Sequence, residues 1–246
     1  MAEDALDVTE DGFLDGRLRL RQPRTGYRAG ADAILLAAAA DPPADGTVFE
    51  PCCGVGAAAL ALAWRRADVR VEGLELDAET AALGAANAAA NALADRVRIR
   101  QGDALAERGG PFDAIILNPP YAQETGAPVP ADPRRRLAFV APHDIDAWVR
   151  ACVDQLTGDA ALTVIHRADA APAILRALEG RLGGIELAPI FPRTGAPAHR
   201  VLVRARKGAR AAMRIWSGLA LHAAEGGGFA PEAEAIFRGR AVFVWR

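Results

Sequence analysis

Asn118, Pro119, Pro120 and Tyr121 follow directly on an apolar run, Phe112 to Leu117. The run reads as a buried strand, so an amide, two prolines and an aromatic ring are presented together at a strand's carboxyl end. Open α/β sheets hold their ligands there. Asn118 offers a side-chain carbonyl. Pro119 offers a backbone carbonyl whose orientation is restricted because the next residue is also a proline. Tyr121 adds a flat face. Two acceptors beside a stacking ring suit a planar group bearing an NH2, such as adenine or a carboxamide. The competing reading is a Pro-Pro turn with an incidental Asn.

The segments upstream supply what would position such a group. Thr47 to Glu50 reads as a strand, followed by Pro51-Cys52-Cys53-Gly54-Val55-Gly56 and a helix from Ala57 to about Arg66. A glycine-bearing turn between strand and helix lets a ligand approach the backbone and leaves helix N–H groups facing it. Val69 to Leu74 reads as the next strand and ends in Glu75-Leu76-Asp77. An acid at the tip of a second strand, about twenty residues after the glycines, is a usual partner for ribose hydroxyls. A helix from Ala78 to Asn91 and a strand from Val97 to Arg100 follow. Asp103 in Gly102-Asp103-Ala104 then serves either as an acceptor for an adenine amine or as a turn or helix cap.

Strand and helix patterns alternate through this region, which predicts an α/β fold with a mostly parallel sheet and helices on both faces. Ahead of it, residues 1 to 12 read as a loose acidic lead. Phe13 to Gln22 reads as a small hairpin turning near Asp15-Gly16, and Asp32 as the N-cap of a helix from Ala33 to Ala40. Behind it, His143 to Leu156 and Ala170 to Arg181 read as helices. Ala160 to His166, Ile185 to Ile190 and Arg200 to Ala205 read as strands, and Pro231 to Phe237 as a short helix after a glycine run. The expected domain organisation is an N-terminal extension (1–28), a main domain (29–210) and a C-terminal extension of the same domain (211–246).

A chain of 246 residues that is 51% hydrophobic can bury a substantial core. The net charge of -2 hides an uneven distribution. The first sixteen residues carry six acids and no base, after which Arg17, Arg19, Arg21, Arg24 and Arg28 arrive together. Seven bases from Arg193 to Arg214 then run without an intervening acid. Cys52, Cys53 and Cys152 cannot build a disulfide framework, and no Cys/His spacing suggests zinc or another metal. His143 and His166 read as structural or surface residues. There is no charged-then-apolar leader and no apolar run long enough to span a bilayer, which predicts a soluble, cytoplasmic protein without membrane contact.

The glycine turn, Glu75, Gly102-Asp103 and Asn118-Pro119-Pro120-Tyr121, in that order, resemble a Rossmann-like class I S-adenosylmethionine-dependent methyltransferase with an NPPY site. The prefix Thr25 to Asp32 and the segment Pro192 to Val201 narrow the resemblance to the bacterial adenine-N6 tRNA methyltransferases that include the tRNA(Val)-modifying enzymes. That resemblance implies a seven-stranded sheet with a small N-terminal β extension, S-adenosylmethionine as cofactor and tRNA as partner. It implies that Gly54 and Gly56 pass the methionyl part of the cofactor, Glu50 steers its amino end, Glu75 takes the ribose and Asp103 the adenine. Arg28, Gly30, Asp32, Cys52, Leu76, Ala104 and Asn118 would complete the pocket. Cys52 is a departure, because many relatives carry glycine there.

Asn118, Pro119, Pro120 and Tyr121 are the expected catalytic residues. Tyr121, Arg134, Arg135, Arg136, Arg193 and Arg200 are the expected substrate contacts, the arginines by tracking phosphates. Other NPPY enzymes methylate a glutamine carboxamide in translation release factors, and the same acceptor pair serves that group. DNA adenine is a further acceptor, weakened by the lack of a separate target-recognition segment. A non-catalytic RNA-binding protein on the same fold is the remaining alternative.

Overall fold

The computed structural model describes residues 7–25, 28–120 and 144–246. Its centre is a nine-stranded sheet rather than the seven-stranded one expected. In chain order the elements begin with β1 (Val8–Phe13), β2 (Leu18–Pro23), α1 (Ala31–Ala39), β3 (Thr47–Pro51), α2 (Ala57–Arg65), β4 (Arg70–Glu75) and α3 (Ala78–Ala90). They continue through β5 (Val97–Gln101), β6 (Phe112–Leu117), α4 (Ile145–Val153), β7 (Leu156–Arg167), α5 (Ala171–Leu178), β8 (Gly183–Arg193) and β9 (Arg200–Arg206). The chain closes with β10 (Arg214–Ile215), β11 (Leu219–His222) and α6 (Pro231–Phe237).

The strands lie in the order β10-β8-β9-β7-β6-β3-β4-β5, and β11 also pairs with β8. Strand β9 alone runs antiparallel, to both β7 and β8. The two extra strands come from the region expected to be an extension. Both are short and both lie parallel to β8.

Burial explains why these segments fold as they do. Strands β3, β6 and β7 are covered on both faces, so they read as continuous apolar runs instead of alternating ones. Helices α1 and α2 are buried nearly all round, and their alanines allow the close approach that larger residues would block. One core lies beneath α1, α2 and α6 and takes in Leu18 and Leu20 of the hairpin together with Leu219, Leu221 and Phe243 near the other end. The second core lies on the opposite face under α4 and α5, around Trp148, Cys152, Ile174 and Leu178. Between β5 and β6 no helix intervenes, and a turn joins the strands.

From Val8 onward the acidic lead is not loose. Val8 to Phe13 pairs antiparallel with β2, around a turn at Leu14 to Arg17. The other edge of β2 is closed by a helix. Asn91 Oδ1 accepts from the Arg19 N–H at 2.9 Å and its Nδ2 donates to the Arg19 carbonyl at 2.8 Å. Asn87 repeats this on Arg21, at 2.9 and 3.0 Å. Residues four apart on a helix and two apart on a strand have nearly the same spacing, so two amides imitate a neighbouring strand.

Candidate functional site

Register sets the site. Pro51 lies opposite Leu74, Glu75 opposite Gln101, and Phe49 opposite Ile115. The segments after β6, β3, β4 and β5 therefore emerge side by side at one edge: Asn118-Pro119-Pro120, Cys52 to Gly56, Glu75 to Asp77, and Gly102-Asp103. Between β3 and β6 the chain reverses its direction of progress across the sheet, which is where open α/β sheets hold their ligands.

The turn after β3 needs left-handed backbone at three alternate positions: Cys52 at φ 54°, Gly54 at φ 57° and Gly56 at φ 82°. Gly56 caps the start of α2 at a φ that favours glycine, and a Cβ there would stand 2.4 Å from Ile99 Cδ1, which would have to move. A Cβ on Gly54 would meet nothing within 4 Å. That side of the turn is open. Cys52 adopts the same conformation with a side chain, which is strained for an L-residue, and its thiol donates to the Asn118 carbonyl at 3.5 Å. This contact joins the glycine turn to the strand end that carries Asn118.

Two carboxylic acids sit under the turn. Glu75 accepts the Gly54 N–H at 2.9 Å and the Asp77 N–H at 3.0 Å, one on each oxygen. Burial raises its pKa, and those two N–H groups hold it partly down. Glu50 is 4% exposed, and its Oε2 has no hydrogen-bond partner among the described residues. Burial pushes its pKa up to about 8, the Ala59 N–H opposes this, and the charge of Glu75 adds to it. A buried carboxyl oxygen without a partner, beside an open glycine turn, can receive a hydrogen-bond donor or a cation.

The remaining expected residues divide. Asn118 is half-buried, Pro119 buried and Pro120 half-buried, at the end of β6. Asp103 is exposed. Its Oδ1 accepts the Leu105 N–H at 2.9 Å, the turn arrangement foreseen as its alternative, while its own N–H donates to Glu107. Ala104 is buried, and Leu76 is exposed on the rim. Gly30 is the N-cap of α1 and has open space where a side chain would stand. Asp32 is not that cap. It lies in the first turn and accepts from Arg200 Nε of β9 at 2.8 Å.

Arg28 donates to Asp11, Thr9 and the Pro23 carbonyl and so ties the hairpin down. Arg193 donates to the carbonyls of Ala223, Ala224 and Gly226. Tyr121, Arg134, Arg135, Arg136 and His143 lie outside the described residues. Sequence reasoning passed over Asp77, which caps α3 by accepting from the Thr80 N–H at 2.8 Å. An acid directly before an apolar helix and three residues ahead of a threonine was the available signal.

Farther along the same edge, beyond β6, the chemistry changes. β7 ends in His166 and Arg167, with Arg167 opposite Arg200, the first residue of β9, and β8 ends in Arg193 opposite His222 of β11. Burial pushes the His166 pKa down to about 4, and its Nδ1 accepts the Arg167 N–H, so the ring stays neutral. Among the described residues no group of His, Cys, Asp and Glu could hold a metal ion, and no helix is long and apolar enough to cross a membrane.

Known proteins are similar to this chain in sequence and in fold. Residues 29–131 match the methyltransferase small domain. A solved structure of a predicted O-methyltransferase from Agrobacterium tumefaciens superposes with a TM-score of 0.72, at 26% identity, over 86% of this chain and 98% of that one. A release factor glutamine methyltransferase of Chlorobaculum tepidum is 33% identical over 140 residues, 53% of this chain and 48% of that protein. The tRNA1(Val) (adenine(37)-N6)-methyltransferase of Aeromonas hydrophila is 31% identical over 202 residues, which cover 80% of this chain and 84% of the relative. By that extended match, reaching well past the part shared with the glutamine enzyme, the chain belongs to the tRNA1(Val) (adenine(37)-N6)-methyltransferase family.

Proposed function

We propose that this methyltransferase uses S-adenosylmethionine to methylate the exocyclic N6 amine of an adenine in tRNA. The observation that carries the reading is the junction of Asn118 with the glycine turn, set by the pairing of β3 with β6 and marked by the Cys52 thiol on the Asn118 carbonyl. It brings an acceptor pair for an NH2 group next to a turn with an open face and a buried, unsatisfied carboxyl oxygen.

The residues present fit the cofactor. Glu50 Oε2 is available to its ammonium group, directly or through water, and Gly54 leaves room beside the backbone. Glu75, part-buried and held by two N–H groups, is the partner for the ribose hydroxyls. Bound S-adenosylmethionine supplies an electrophilic methyl group on a sulfonium. The protein's own task is to make a poor nucleophile competent. The N6 lone pair of adenine is delocalised into the ring. Acceptance of its two N–H bonds by Asn118 Oδ1 and the Pro119 carbonyl favours a pyramidal nitrogen and orients its lone pair.

No ionised base is needed before attack, since one N–H proton leaves to water after transfer. Catalysis is then mainly positioning and preorganised electrostatics. Tyr121 is assigned the stacking face for the base, which must leave its own stack to reach the pocket. A tRNA acceptor also implies work in the cytoplasm.

The test is methyl transfer from labelled S-adenosylmethionine to total tRNA from a strain lacking the gene, beside a release-factor fraction, followed by nucleoside and residue analysis. Label is expected in N6-methyladenosine. Label on glutamine would overturn the acceptor and transfer the assignment to the reaction named for the Chlorobaculum relative.

A further inference from the structure

The far end of the ligand-bearing edge carries a feature that the transfer reaction does not use. Strand β11 runs parallel to the end of β8 and stops at His222, opposite Arg193. A six-residue loop then returns the chain so that Phe229 forms a β-bridge with His222. The two rings stack at 4.8 Å between centroids and 18° between planes. The arrangement is fixed from three sides. His222 Nδ1 lies 2.8 Å from the Gly228 carbonyl, so Nδ1 carries the ring proton and donates it there. Phe237 of α6 buttresses Phe229 at 4.7 Å. Arg193 gathers the loop by donating to the carbonyls of Ala223, Ala224 and Gly226.

Phe229 is nevertheless 47% exposed. Around the loop tip, Gly226, Gly227 and Gly228 leave open space where side chains would stand. The pair is oriented by the chain around it, and Phe229 is left half-uncovered. Arg193 contributes a positive charge beside it, and no carboxylate among the described residues pairs with that guanidinium. The pair lies on the same edge as Asn118, four strand spacings away, or about 19 Å. A few nucleotides of a single strand span that distance.

We propose that His222 and Phe229 form a stacking platform for an unpaired nucleotide of the RNA substrate, held apart from the adenine that is methylated. The inference rests on the tRNA reading above and deepens it, since it names unpaired RNA flanking the target as what the C-terminal segment recognises. Every base has a π-face, so such a platform supplies affinity without reading sequence, and Arg193 supplies charge for the adjoining phosphate.

The test measures binding and transfer separately. Fluorescence anisotropy is recorded with a labelled RNA stem–loop carrying adenines in its unpaired loop, and with a fully paired RNA of equal length. Phe229→Ala is expected to weaken stem–loop binding about 10-fold and to leave duplex binding and S-adenosylmethionine affinity unchanged. Phe229→Trp is expected to restore it, which an altered fold would not do. Equal stem–loop affinity for wild type and Phe229→Ala overturns the platform, as does an equal loss on stem–loop and duplex. So does a dimer that depends on Phe229 while RNA affinity stays constant.

Transfer to the stem–loop and to tRNA is scored alongside. If RNA is methylated and KM for RNA is unchanged by Phe229→Ala, the platform falls and the acceptor stands. If the stem–loop binds in a Phe229-dependent way while methyl reaches only protein, the acceptor falls and the platform stands.

Discussion

The two halves of the ligand-bearing edge differ in charge and in how they hold it. On the side of β3, β4 and β5 the strand ends carry Glu50, Glu75 and Asp103, and the first two lie in confined positions where burial raises both pKa values. On the side of β7, β9, β8 and β11 they carry His166, Arg167, Arg200, Arg193 and His222. The bases there are engaged in hydrogen bonds or ion pairs, with Arg200 on Asp32 and Arg193 on three carbonyls. Asn118 stands at the boundary. On the reading proposed above, the difference would sort a small cationic cofactor and a large polyanion along one edge by opposite means. Buried acids create a local demand for positive charge, whereas partly exposed bases and aromatic rings offer an extended track.

Substitutions can break or sharpen this division. The largest effect is expected at the boundary: Asn118→Ala should lower kcat by about a thousand-fold or more, in the range seen for removal of a preorganised polar group from a reaction centre. S-adenosylmethionine affinity, measured by calorimetry, should stay nearly unchanged. An active Asn118→Ala enzyme would remove the boundary from the account. Next comes Glu75→Ala, which loses charge-assisted bonds and should weaken the cofactor by roughly 10- to 100-fold, with RNA binding intact. Equal losses of cofactor and RNA affinity would show that the halves are not separate.

A third test is pH. Glu50 has its pKa raised on folding from the ordinary carboxylic value of 4.5 to about 8, so between those limits the folded state binds more protons than the unfolded one. The stability of the ligand-free protein should therefore fall as pH rises through that window. The slope approaches one proton, about 1.4 kcal/mol per pH unit. Glu50→Gln should flatten it in denaturant titrations. Persistence of the slope in that variant would assign it to another group. The smallest effect concerns Cys52. Replacing this left-handed residue by glycine should stabilise the protein by about 1 kcal/mol in thermal or denaturant unfolding, and loss of stability would mean that the thiol's bond to Asn118 outweighs the backbone strain.

Much of the acidic half of the edge was legible in the chain because its signals are local. The glycine turn, the acid at the tip of β4 and the strand before Asn118 each follow from neighbours a few residues away. What escaped depends on distant partners. Asp32 reads as a helix cap from its own surroundings, yet it meets Arg200, which is remote in sequence. Strand β1 carries Glu10 and Asp11, poor strand formers on their own, and forms because β2 pairs with it and Arg28 binds Asp11 and Thr9. β10 and β11 are too short for any alternation to reveal, and β8 supplies their ladder. The arginines show the same limit. Composition announced a phosphate track, whereas Arg28, Arg193 and Arg200 are also fastened to carbonyls and carboxylates of their own chain.

The two asparagines of α3 have a consequence for how this surface can change over time. On the hairpin, Asn87 and Asn91 bond the main chain of Arg19 and Arg21, and both arginines are exposed. Attachment of the hairpin is thus indifferent to which residues occupy those two positions. Mutation can redraw that outer face, in charge or in size, without loosening the strand that bears it. Positions 87 and 91 have less latitude, because each must hold an amide donor and acceptor at the reach of an asparagine side chain. Variation is expected to concentrate on the hairpin's exposed side chains and constancy on the helix beneath them.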